Sequence, residues 1–341
     1  MAPPVRLVHL GAAALTILLV SACSSNLMDA PPPTIEPARA ADSPPVTGKP
    51  AGVVLPLAEA ALAAVFDGRT GSLVVLGDGD RPVVTVFSST GAATSAQLEG
   101  AATAMAGDDD GTVYLSTNGG YFRFDIASGE ATRIAVEGLD GVNFTAIARR
   151  ADGRLVLGSA DGTVYTLSSD TTVGAQLRIF ARVDDVVTQG NTAVVLDRGQ
   201  TSVTTLNSDG TKSEQALRAG RGATTMATGT AGRVLVADTR GGELLVYGVD
   251  PLMLRQRFPV PDSPYGLVSS GSRTGLDWVT QTETNTVIGY DLATGIPVEK
   301  VRYRTVQQPN TLAFDDASGT LYVVSGAGAG VQVITSAGAP K

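Results

Sequence analysis

The residue with the clearest chemistry is Cys23, the single cysteine of the 341-residue chain, at the end of the run Leu19, Val20, Ser21, Ala22, Cys23. A positive Arg6, an apolar stretch from Leu10 to Val20 and small residues before the thiol form the pattern of a leader that is cut and a cysteine that is acylated. The stretch is too short for a permanent membrane span, which needs about 20 apolar residues. Cys23 is therefore the expected lipid attachment point, and the expected address is the outer face of a cell membrane, in the cell envelope. His9, the only histidine, lies in the leader. A body without imidazole or free thiol excludes Ser/His/Asp and Cys/His nucleophiles, His or Cys zinc sites and internal disulfides. No metal or other cofactor is assigned; calcium, held by oxygen ligands, is the one cation this composition leaves open.

The carboxylates offer two other chemistries. Asp108, Asp109 and Asp110 before Gly111 have the look of a calcium loop, although the spaced ligands and closing Glu of an EF-hand are missing and a solvated turn needs the same residues. Asp78 and Asp80 in GDGD read as a hairpin loop. Glu137, Asp140 and Asp262 would be the acid and base of a hydrolase if burial separated their pKa values. A third group is polar and uncharged: Asn143, Thr224, Tyr265, Gln308 and Asn310 precede or open short small-residue runs, and they suit hydrogen bonding to a neutral or carbonyl-bearing ligand.

The elements that must position these residues are strands. From residue 53 onward short apolar runs alternate with Gly, Asp, Asn, Ser and Thr turns, without helical periodicity. Seven runs align: Ser72–Leu76, Thr112–Ser116, Arg154–Gly158, Thr192–Leu196, Arg233–Ala237, Leu276–Thr280 and Thr320–Ser325. The residues before them are separated by 40, 42, 38, 41, 43 and 44 positions, and a period near 40 with four strands per unit is that of a β-propeller. A more polar third strand follows each run, as in Tyr121–Asp125 and Val287–Asp291. Unit four, Asp184–Gly220, is the least regular; without it the count would be six. The seventh unit ends near Thr335 with three strands, and Gly52–Leu57 is placed to supply the fourth and close the ring. The expected fold is all-β, a single seven-bladed propeller over 53–341. Residues 1–22 form the expected signal peptide and 23–52 a Pro-rich tether. Loops leading into the innermost strands would gather the five polar residues at one mouth of the central channel.

Formal charge is −8, one unit more negative once Arg6 leaves, which argues against nucleic acid as a partner. Lys300, Arg302 and Arg304 make a cationic stripe on one face of an outer strand, suited to an anionic surface or simply to blocking edge pairing. Trp278 belongs to a buried second strand and is expected in the core.

The strings Phe144–Gly162, Val187–Thr205, Ala237–Leu252, Thr286–Tyr303 and Val306–Asp315, with Pro32–Ala38, resemble a conserved mycobacterial lipoprotein family of the LppL type. The resemblance implies an actinobacterial, palmitate-bearing envelope protein and brings no activity with it. More loosely, Pro264–Leu267 and Pro309–Leu312 resemble the NHL and YVTN propellers, whose members bind proteins, sugars or small ligands. The calcium-dependent lactonases share that architecture, but their converging Glu, Asn and Asp have no match here. The expected function is a noncatalytic binding or docking module for an envelope protein or small ligand, anchored through Cys23. The alternative is a carboxylate-dependent, lactonase-like hydrolase at the channel mouth.

Overall fold

The computed structural model describes residues 1, 33–271 and 274–338. Cys23, the expected leader and the start of the expected tether lie outside the described residues. Among those described, 28 strands form seven four-stranded antiparallel sheets. Six sheets are consecutive in the chain: blade I (61–97), II (104–135), III (144–178), IV (185–218), V (223–259) and VI (264–304). Blade VII takes three strands from 309–334, and its outermost strand is β1 (Val53–Leu55), paired with the last strand, β28 (Val331–Ile334), in the register Val54↔Gln332. The ring is closed by the N-terminal strand, and unit four is a full blade.

Each of the seven aligned apolar runs is the second strand of a blade, where both faces meet neighbours. Ser72–Gly77 and Leu276–Gln281 are buried at every position, as a strand sandwiched between two blades requires. Most third strands are nearly as buried as the second, with Thr163–Leu167 buried throughout, while that of blade II exposes Arg123 and Asp125. The outer strands carry the exposed polar residues, as in Ser213–Arg218. Seven apolar clusters make up the core, one between each pair of neighbouring blades, including the closing pair VII and I. Trp278, fully buried, stacks on Tyr303 at 6.0 Å and Phe314 at 6.5 Å in the cluster between blades VI and VII.

The described residues just before β1 lie on the ring. Residues 35–44 run as an extended strap without regular secondary structure across the face formed by the second-to-third-strand turns and the links into the inner strands. Ala51 then joins the outer edge of the ring, donating its amide to the Arg304 carbonyl at 3.1 Å and accepting from Gln332 Nε2 at 2.8 Å. The proline-rich composition favours extended backbone with free main-chain groups, and the face supplies partners for those groups.

Candidate functional site

The inner strands reach the channel mouth through β-bulges. Their register slips at Ala61/Ala63, Phe144/Ala146, Ala223/Thr225, Pro264/Leu267 and Pro309/Thr311. A bulge leaves a residue out of the ladder and re-aims its side chain. Thr224, Tyr265 and Asn310 are such residues. The strands are laced to their neighbours there by threonine: Thr103 Oγ1 donates to the Phe144 carbonyl at 2.6 Å, Thr145 to that of Val183 at 2.5 Å and Thr225 to that of Tyr265 at 2.5 Å. Between blades VI and VII the contact is so close that a side chain at Gly266 would meet the Asn310 carbonyl oxygen at 2.9 Å.

Within this mouth lies a cavity of about 340 Å³, whose polar lining includes Asp78, Asp185, Thr225, Tyr265 and Asn310, with Met226 and Leu267 beside them. Asp185 opens the inner strand of blade IV and takes the place of a threonine tie by accepting the Met226 amide at 3.0 Å. Burial pushes its carboxyl up to about 6, against the amides of Met226 and Val186, which favour the ionised form; Asp184 raises it further and Arg198 lowers it. The neighbouring Asp184 is paired with Arg182 at 2.7 Å and accepts the Arg198 amide at 2.9 Å. Burial raises the Tyr265 phenol, with Arg198 acting in the opposite sense and Asp185 adding to the rise. The arrangement offers a ligand two carboxylates, those of Asp78 and Asp185, one phenol and one carboxamide on otherwise neutral walls.

The five polar residues expected at the mouth separate in the structure. Tyr265 and Asn310 line the cavity. Thr224 is buried, its hydroxyl 2.5 Å from that of Thr239. Asn143 is exposed between blades II and III, where its backbone bridges to Asn118. Gln308 faces the strap: its Nε2 donates to the Ala41 carbonyl at 3.1 Å and to Asn310 Oδ1 at 3.0 Å, and its Oε1 accepts the Ser43 amide at 2.9 Å. Sequence reasoning passed over Asp185 and Arg198. The signal was the pair Asp184, Asp185 at the start of an inner strand, a position that is small, aromatic or proline in the other blades.

The other candidate groups are engaged locally. Asp108 Oδ1 accepts the amides of Asp110 and Thr112, both at 2.9 Å, Asp109 that of Gly68 at 2.5 Å, and Asp110 pairs with Arg69 at 3.0 Å. Glu137 accepts from the Thr171 hydroxyl at 2.7 Å. Glu137, Asp140 and Asp262 stand in two different inter-blade links and none lines the mouth cavity. Among the described residues no three acidic side chains gather where they could hold a metal ion. Of the cationic stripe, Lys300 meets Asp291 at 3.4 Å, Arg302 meets Glu299 at 2.8 Å, and the Arg304 guanidinium packs over Gly48.

No protein-family model and no curated protein matches the chain. Solved structures do. A chain of the crystal structure of a mitotic checkpoint complex superposes with a TM-score of 0.66 at 11% identity, over 95% of this chain and 99% of that one. The structure of U3-55K superposes with a TM-score of 0.71, also at 11% identity, over 84% of this chain and all of that one. At such identity they share the fold alone.

Proposed function

We propose that the chain is a membrane-anchored extracytoplasmic lipoprotein, held through Cys23, whose propeller acts as a noncatalytic docking module for an envelope protein or small ligand. The observation that carries the binding half is the mouth cavity, where bulged inner strands aim Tyr265 and Asn310 beside Asp185. Bulges that direct polar side chains into a concave site on a rigid ring are what a recognition surface needs. The fold by itself assigns no chemistry. One of the structural neighbours comes from a multiprotein complex, which accords with docking. The anchor rests on the sequence pattern around Cys23. A carboxylate-dependent hydrolase is the second reading, favoured by the raised pKa of Asp185 in the cavity.

In-cell cross-linking of the anchored protein, with mass-spectrometric identification of what it holds, tests the proposal against a Cys23→Ala control. An envelope protein captured by the wild type and lost in the control is the expected result. Tyr265→Ala with Asn310→Ala should weaken capture while leaving the melting temperature within about 2 °C, since neither side chain supports the core; the conversion from energy to temperature is about 2–4 °C per kcal/mol at this size. Unchanged capture would remove the mouth from the interface. A melting temperature that responds to neither calcium nor chelator removes the metal-dependent hydrolase.

A further inference from the structure

The strap is held in a way that differs from the rest of the protein. Nearly all its contacts use its main chain, and the groups that grip it come from blades IV to VII. The Ile35 amide donates to the Gly199 carbonyl at 2.7 Å. Arg240 Nη2 donates to the Glu36 carbonyl at 2.7 Å, and Arg198 to that of Ala38. The Ala41 amide donates to Ser263 Oγ at 2.9 Å, and the Pro44 carbonyl accepts from Asn285 Nδ2 at 2.7 Å. At the centre, the carboxamide of Gln308 brackets residues 41 and 43, accepting from one amide and donating to one carbonyl, as a neighbouring β-strand would. Two small strap side chains, Ala38 and Ser43, are buried. Most of the others point to solvent, and Pro37 and Arg39 of the strap line an open space of about 460 Å³ together with Thr239 and Arg240.

The gripping side is also built at conformational expense. Ser263, Asn285 and Gln308 have φ of 60°, 49° and 54°, three of the eight non-glycine residues at positive φ among those described. Such backbone is held only where the surroundings over-determine it, and it concentrates at ligand clamps. With two small apolar-to-polar side chains buried, the strap gains little from the hydrophobic effect.

We infer that this face is a groove for extended peptide, that residues 35–44 are its intramolecular occupant, and that its exchange partner is an extended segment of another protein. The groove reads a main chain and the Ser43 hydroxyl, which donates to the Thr282 carbonyl, with small residues required at two positions five apart and prolines tolerated before and after them. The inference goes beyond the docking reading and needs neither the mouth cavity nor the anchor. It predicts competition: a tethered segment presents an effective concentration in the millimolar range, so a free peptide binds well only when the strap is unseated.

The probe is a fluorescent peptide of residues 33–47 added to purified full-length protein. Wild type should bind it weakly, and the variant Ala38→Glu with Ser43→Glu, whose strap no longer seats, at least 10-fold more tightly. Adding Gln308→Ala to that variant should abolish the gain. A folded double-Glu variant that binds the peptide no better than wild type would overturn the inference, as would full binding without Gln308. Hydrogen exchange on the wild type decides the matter if the variant does not fold: strap amides at Ala41 and Ser43 exchanging at least 100-fold faster than those of Val53–Leu55 support an exchangeable occupant, and equal rates make the strap a fixed part of the ring. Failure here leaves the cross-linking result untouched, since that experiment reads the anchored protein with its strap in place.

Discussion

Asp185 shows how one residue at the channel mouth ties structure to pH. Its folded pKa of about 6 lies above the value near 4 expected for an unfolded Asp. Between those values the folded state keeps a proton that the unfolded state has released, so stability falls as pH rises from about 4 to 6 and the loss is complete above 6. The two-unit difference corresponds to about 1–3 kcal/mol. Asp185→Asn keeps an oxygen for the Met226 amide and removes the charge. The variant is expected to be more stable than wild type at pH 7.5 by that amount, with the advantage gone at pH 4. Urea titrations of both proteins across this range check it, and comparison at each pH cancels the other carboxylates. A wild type as stable as the variant at pH 7.5 would mean that the carboxylate is solvated and the mouth more open than its geometry indicates.

At the scale of the element, five blades (II, IV, V, VI and VII) are fastened by the side chain that ends the second strand. Asp238, fully buried, accepts the amides of Arg221 and Gly222 at 2.8 Å each and that of Gly241 at 3.0 Å, pinning the link into blade V and the turn beyond. Gly220, at φ 70°, makes room for it: a side chain there would lie 1.9 Å from Asp238 Oδ2. Asp197 does the same for Ala181 and Gln200, at 2.7 and 2.9 Å, while Thr117, Gln281 and Ser325 donate to the carbonyls of Ala101, Pro261 and Gln307. Asp238→Ala strands one buried and two part-buried donors and is expected to cost about 2–3 kcal/mol, against about 1 kcal/mol for Thr117→Ala. Thermal melts of the two variants read the difference directly. The blades were legible in the sequence because apolar runs such as Thr192–Leu196 recur at nearly constant spacing, and a sandwiched strand leaves no other pattern. These fasteners were not, because Asp, Thr, Gln and Ser perform one task and share no letter. The strap was hidden for a related reason: its contacts are main-chain, so a proline-rich stretch that reads as a tether carries no mark of the Gln308 clamp. Tyr265 and Asn310 were legible because residues opening an inner strand face the channel, whereas nothing in the sequence marks the Met226 amide on blade V that Asp185 accepts.

For the whole molecule the decisive feature is that the core has no centre. Its seven clusters each belong to two blades, so no blade holds an apolar interior of its own. A linear repeat array with this wiring would fray from its ends, because stability there is a sum over neighbours. Closure removes the ends, and it depends on the three residues of β1 laid against β28 and on the apolar cluster between blades VII and I. Val53, 63% exposed, contributes little by burial, so its place in the ladder is what matters. Val53→Pro removes an amide from the hydrogen-bonded pair that Val53 forms with Val333 and opens the edge of blade VII. If blades unfolded independently, that variant would show a separate low-temperature transition for blade VII and an unshifted remainder. The shared clusters predict instead one transition, displaced downward by more than 5 °C, since losing even about 2 kcal/mol at a single closure is felt by every blade. Thr94→Pro in the outer strand Ala93–Gln97, away from the clusters, is the control. It should fray blade I locally and shift the same transition by less, and calorimetry that resolves two peaks for Val53→Pro would show the ring to be a chain of separable blades.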